Sequence, residues 1–161
     1  MTTFTATERR AHALSAVSHG GSYNDIVLLS TVEVSTATTV GRTIDFGRIP
    51  SNARILGTSK LYWDAMATST ATLDLGLAAV DGNLAQADDP NALHDAFAIS
   101  AASAAGTNVI ADPVNIGLPA WDYVASETSD PGGTLQVYGS LVDAAFTTAG
   151  TVTLELHYVV D

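Results

Sequence analysis

Histidines are the first residues of this sequence to consider for chemistry, because the chain contains no cysteine. The four histidines are His12, His19, His94 and His157, and no two of them have the helical spacing that brings a pair of ligands together. A metal site needs several convergent ligands, and without cysteine both thiolate ligands and disulfides are excluded. The histidine positions therefore predict neither a metal centre nor a cofactor.

Carboxylates are the second group that could do chemistry. Residues 81–83 and 88–89 could offer oxygen ligands to calcium, but the EF-hand spacing is absent and ordinary turn formation explains both segments. Asp122 and Glu127 could form a catalytic pair, which would require both carboxylates to face one cleft. Neither a GxSxG nor a GxxxxGK[ST] motif occurs. We therefore expect a protein that is not an enzyme.

The two tryptophans have two possible roles. Trp63 and Trp121 are each followed by an aspartate, and a tyrosine stands close to each of them. Such rings could stack against a sugar, or they could anchor a core or a protein interface. Core and interface positions are the commoner ones for tryptophan, so we favour that interpretation.

Charge is distributed unevenly along the chain, whose net charge is −11. Residues 61–161 contain thirteen acidic residues and no lysine or arginine. Such an acidic body repels nucleic acid and anionic membranes, so we expect neither as a partner. All basic residues lie in the first 60 positions: Arg9, Arg10, Arg42, Arg48, Arg54 and Lys60.

The arginines are the predicted partner-binding residues, because a guanidinium group can pair with a carboxylate through two hydrogen bonds. The predicted set is Arg9, Arg10, Arg42, Arg48 and Arg54. For the last three an alternative stays open, in which they pair with Asp45 and other acidic residues inside the domain. For the first two we favour contact with a partner.

Strand patterns dominate the chain from residue 25 onward. Residues 70–80 alternate between leucines and small or polar residues, as a half-buried strand does. Residues 53–64 predict one long strand, and 134–142 with 151–160 predict a hairpin pair. The Ala-rich residues 92–105 could be helical or extended, and we favour a strand. About eight strands without long helices between them predict an all-β, antiparallel β-sandwich or jelly roll.

The N-terminal residues 1–24 are predicted to form an extended arm, followed by a β-sandwich domain over 25–161. Helix-forming residues predict a short helix at 8–17, and Gly20-Gly21 would end it. No apolar run approaches the roughly 20 residues that cross a bilayer, and no apolar segment follows the first arginines as in a secretory signal. We therefore expect folding in a cytoplasm.

A resemblance to a known class of proteins rests on turns and strands. Residues 47–57 contain an I-P-x-x-A-x-I turn that leads into a strand. This segment resembles a pattern in small virion proteins of tailed bacteriophages, and residues 118–121, 129–133 and 149–161 are similar to the same proteins. The resemblance covers most of residues 38–161 and leaves the N-terminal arm outside.

The resemblance implies a phage structural protein attached to the head, of the kind called capsid decoration or cement proteins. Such a protein binds the outer capsid surface of the virion, stabilises the shell and often forms a homotrimer. Its partners would be the major capsid protein and other copies of itself, with no catalytic residue. Because a fold does not fix a function, two alternatives stay open. One is a head fibre, tail or receptor-binding component, and the other is a carbohydrate-binding module that uses Trp63 or Trp121.

Overall fold

The computed structural model describes residues 3–5, 8–14, 25–36, 38–66, 70–79, 89–124 and 128–160. In these residues the chain forms eleven β-strands and two short 3-10 helices, at Pro113–Asn115 and Ala120–Tyr123. The strands are β1 (Thr3–Thr5), β2 (Glu8–Leu14), β3 (Asp25–Val34), β4 (Thr43–Pro50), β5 (Arg54–Ile55), β6 (Lys60–Trp63), β7 (Thr72–Ala79), β8 (Asp89–Ala98), β9 (Ser103–Asn108), β10 (Thr134–Val142) and β11 (Gly150–Val159).

The order of the strands defines a jelly roll. Sheet A has the order β1-β4-β10-β7-β8, and sheet B has the order β2-β3-β11-β6-β9, with the short β5 also paired to β11. When β1, β2 and β5 are set aside, each sheet contains four strands, and most connections cross from one sheet to the other. All described pairings are antiparallel except that of β1 with β4. The predicted antiparallel sandwich of jelly-roll type is therefore confirmed.

The core lies between the sheets, because each strand directs alternate side chains inward. In β7 the inward residues Leu73, Leu75 and Leu77 are fully buried, which confirms the alternation predicted for this segment. The central strands β10 and β11 alternate in the same way along their whole length. The apolar surface of both sheets is thus enclosed in one continuous core.

Strand β8 pairs with β7 as the edge strand of sheet A, and its register contains two irregularities. At Gly76 an added Cβ would stand 2.2 Å from the backbone oxygen of Asp89, so only glycine permits this approach. At the second irregularity Ala96 has a φ of 61°, and its N–H donates to Oδ1 of Asp74 at 2.9 Å. Such bulges make β8 a poor template for a further strand and protect this edge of sheet A.

The N-terminal residues differ most from the prediction. The helix predicted at 8–17 is wrong for its described part, because Glu8–Leu14 forms β2 and pairs with β3. A ladder of backbone partners on β3 outweighs the modest helix propensity of these residues. Within the predicted arm, β1 and β2 each extend the edge of a sheet, while residues 15–24 lie outside the described residues.

Two predictions about the strands are wrong, one about the length of a strand and one about which strands pair. The single strand predicted at 53–64 is interrupted at 56–59, which separates β5 from β6. The hairpin predicted from 134–142 and 151–160 does not form, because β10 lies in sheet A and β11 in sheet B. Residues 143–149 therefore cross between the sheets. For the Ala-rich residues the strand interpretation is confirmed by β8 and β9.

Replacing Gly76 by Ala should destabilise the fold by about 1–3 kcal/mol or more, because the new methyl group collides with backbone that cannot move aside. The matched control is Gly139→Ala on the neighbouring β10, where the nearest atoms are side-chain atoms of Leu73 and Phe46 at 3.2 Å. Chemical denaturation measures both free energies of unfolding. Equal losses would contradict the close approach of β8 to Gly76.

Candidate partner-binding surfaces

The five arginines predicted to bind a partner lie at separate places in the fold. Arg9 and Arg10 belong to β2 at the edge of sheet B. Arg42 precedes β4 and the exposed Arg48 lies near its end, about 20 Å further along sheet A. Arg54 belongs to β5 in sheet B. The structure does not bring these residues into one site, and their contact with a partner stays a prediction.

Arg54 holds a surface loop formed by residues 112–117. Its Nη1 donates to the backbone oxygen of Gly117 at 3.0 Å, and the N–H of Gly117 donates to the oxygen of Ile55 at 3.0 Å. On the other side the hydroxyl of Tyr123 donates to the backbone oxygen of Asn115. Burial raises the pKa of Tyr123, so this hydroxyl keeps its proton. The 112–117 loop is therefore fixed from two sides.

The 112–117 loop presents apolar side chains to solvent. Asp112 begins its 3-10 turn, accepting from the N–H of Val114 at its side chain and from the N–H of Asn115 at its backbone oxygen, both at 3.0 Å. Val114 is nevertheless 84% exposed and Ile116 is 48% exposed. Apolar residues on a rigid, exposed loop are suited to contact a partner, because little conformational freedom is lost on binding.

The 112–117 loop is not among the partner-binding residues predicted from the sequence. Its signal was present in the sequence, since two large aliphatic residues alternate with the turn-forming residues of Asp112-Pro113-Val114-Asn115-Ile116-Gly117. An aliphatic residue in a turn has no strand or helix face through which to reach the core. The anchoring bonds from Arg54 and Tyr123 join distant parts of the chain and could not be inferred from spacing.

The outer face of sheet B carries a chain of hydrogen bonds centred on His157. Its Nδ1 lies 2.9 Å from Oδ2 of Asp25, and its Nε2 lies 3.2 Å from Oε1 of Glu155. The hydroxyl of Tyr62 donates to Oε2 of Glu155 at 2.9 Å. These four residues stand on β3, β11 and β6, so the network joins the three neighbouring strands from outside.

The network shifts the pKa values of its members. Burial alone would lower the pKa of His157, but the hydrogen bonds to Asp25 and Glu155 outweigh it and the pKa is raised. The hydrogen bond from Tyr62 lowers the pKa of Glu155 and raises that of Tyr62 itself. Both ring nitrogens of His157 are engaged, so neither is free to exchange a proton with a substrate. The arrangement stabilises sheet B.

Trp63 is a core residue, whereas the partly buried His94 packs against the core residue Phe97. Trp63 is only 7% exposed, its Nε1 donates to the backbone oxygen of Ala101 at 2.8 Å, and its ring meets Phe97 edge-on. The ring of His94 stacks on Phe97 at 3.6 Å, and burial lowers its pKa, which favours the neutral imidazole. Because so little of Trp63 is exposed, its ring is not placed to stack against a sugar. Trp121 is partly buried against the core.

The remaining chemical candidates give no assembled site in the part of the chain that the structure describes. There, no group of three or more histidine, aspartate or glutamate residues is placed to hold a metal ion. Residues 81–83, Asp88 and Glu127, considered above as possible ligands or catalytic groups, lie outside the described residues. Among the described segments no helix has the length and apolar character needed to span a bilayer.

Comparison with known proteins gives a likeness in fold. No protein-family model matches the chain, and no curated protein matches it. A solved structure described as "Capsid of Ralstonia phage GP4" contains a chain that superposes with a TM-score of 0.55 at 19% sequence identity. The alignment covers 93% of this chain and 91% of that one. At this identity the likeness shows a shared fold.

Replacing His157 by Gln should destabilise the protein more in mild acid than in base. Because its folded pKa is raised, His157 contributes stability that is fully present below its unfolded pKa of about 6.5 and is lost as pH rises through the folded pKa. We expect the cost of His157→Gln to be larger at about pH 5.5 than at about pH 9, measured by urea unfolding.

The matched control for this experiment is Thr153→Val on the same face of β11. It removes a hydroxyl contact of 2.9 Å with Thr31 and changes no titratable group, so its cost should be the same at both pH values. If the loss caused by His157→Gln is also independent of pH, the imidazolium between two carboxylates does not stabilise the folded state.

Proposed function

We propose that this chain is a structural protein of a tailed-bacteriophage virion, and that it acts as a capsid decoration protein. In this role it binds the outer surface of the head and stabilises the shell. The observation that carries the proposal is the fold shared, over nearly the whole of both chains, with a chain from the capsid of a Ralstonia phage. The resemblance of residues 38–161 to small virion proteins supports the same function.

The charge of the chain favours the outer surface of a shell over the inner one. Packaged DNA is densely negative, and a protein with a net charge of −11 would be repelled from it. On the outside the same charge keeps decorated particles soluble and apart. The acidic residues 61–161, which contain no lysine or arginine, are therefore compatible with a position that faces solvent.

Attachment needs contacts that outweigh the repulsion that an acidic body meets wherever the surface of the shell is also acidic. Burying an exposed aliphatic side chain contributes about 1.5–3 kcal/mol. An exposed ion pair contributes only about 0–1 kcal/mol. We therefore expect Val114 and Ile116 on the 112–117 loop to dominate the affinity, with a smaller share from Arg9 and Arg10. A homotrimer would present one loop from each copy and bind more tightly through avidity.

The proposal is tested by adding the purified protein to phage heads assembled without it. Saturable co-sedimentation with the heads, together with a higher temperature of shell disruption, is the expected result. Binding to isolated tails and not to heads would overturn the decoration role and support the alternative of a tail or fibre component.

Replacing Val114 and Ile116 together by Asp should weaken binding to undecorated heads by at least about tenfold, because the loop then presents charge where an apolar surface is needed. The control is Val40→Asp, which introduces one such charge at a residue that is 53% exposed in the turn before β4. Co-sedimentation measures both variants. Equal affinities for the two variants would show that the 112–117 loop is not the attachment point.

Replacing Arg9 and Arg10 together by Ala should weaken binding to heads by up to about tenfold and reduce its dependence on salt. The control is Lys60→Ala, since the Nζ of Lys60 donates to the backbone oxygen of Ala105 within the chain, at 3.3 Å. Binding is measured over a series of salt concentrations. If both affinity and salt dependence match those of the unmodified protein, the arginines of β2 do not contact the shell.

A further inference from the structure

Strands β1 and β2 close one side of the sandwich although they belong to different sheets. β1 pairs with β4 in sheet A and β2 pairs with β3 in sheet B, and only residues 6 and 7 separate them. β3 and β4 follow each other in the chain and are in contact across the sandwich. One N-terminal segment, residues 3–14, therefore covers two strand edges that would otherwise be open.

The N-terminal segment is held by backbone pairing. All seven residues of Glu8–Leu14 have register partners on β3, and all three residues of Thr3–Thr5 have register partners on β4. Backbone hydrogen bonds do not distinguish between copies of the same chain. The open edges of β3 and β4 therefore accept this segment equally from their own chain or from a neighbouring copy.

The chain between β2 and β3 is longer than the antiparallel pairing requires. Leu14 and Asp25 are register partners, so their Cα atoms are about 5 Å apart and a two-residue turn would connect them. Ten residues stand between them instead. An extended chain of that length can reach about 30 Å or more, which is enough to place the segment on an adjacent molecule.

We propose that the N-terminal segment is exchanged between copies, so that β1 and β2 of one molecule pair with β4 and β3 of its neighbour. Exchange preserves every register pair described above and adds a connection between subunits. The occupant of the acceptor edges is a second copy of this chain, whether or not the chain binds a shell.

Disulfide trapping tests the exchange cleanly, because the natural chain has no cysteine. Ala13 and Ile26 are register partners on β2 and β3, and Thr3 and Thr43 are register partners on β1 and β4. Each pair is replaced by cysteines and oxidised in the purified full-length protein. Exchange predicts covalent oligomers on non-reducing denaturing electrophoresis. Monomers with an internal cross-link would overturn the proposal, and so would the absence of any cross-link at both pairs.

The matched control is Thr31→Cys with Thr153→Cys, a register pair of β3 and β11 that exchange does not separate. This variant should give only internally cross-linked monomers. A second experiment mixes Ala13→Cys chains with differently tagged Ile26→Cys chains, unfolds and refolds them together, and oxidises the mixture. Exchange predicts cross-links between the two tags, and circular dichroism confirms refolding. If the refolded mixture contains no such cross-link, the segment stays on its own chain.

Discussion

Burial of two facing apolar sheet surfaces is the constraint on which this structure depends. The chain is 47% hydrophobic and only 14% charged, and it has no disulfide to stabilise the fold. Almost every long strand therefore gives one face to the core, and the jelly roll places β10 and β11 near the middle of their sheets, where both neighbours cover them. Once this core is formed, only edges, outer faces and loops are left to contact other molecules.

These exposed parts differ in how readily they can contact another molecule. The β8 edge of sheet A is bulged and closed over Gly76, and the centre of sheet B is joined from outside by the His157 network. The 112–117 loop is rigid and apolar, and β1 and β2 of the N-terminal segment are paired with β4 and β3. Among the described surfaces, two are therefore suited to contact another molecule. The 112–117 loop offers apolar side chains, and the edges of β3 and β4 offer backbone hydrogen bonds.

The alternation of apolar and polar residues predicted which faces of the strands are buried. It predicted little about which strands lie side by side. Leu73, Leu75 and Leu77 face the core as expected. Alternation identifies a strand's buried face but not the strand beside it, so the crossing of residues 143–149 between the sheets was missed. The strand at 8–14 was missed because its partners are supplied by β3, against the local helix preference.

The proposed decoration of the outside of a phage head is tested most directly by electron cryomicroscopy of intact virions. Particles made with and without the chain are compared in a difference map. The account predicts density of jelly-roll shape at regularly repeated positions over the outer surface of the head, present only in particles that contain the chain. Density confined to the tail, or lining the inside of the shell, would contradict it.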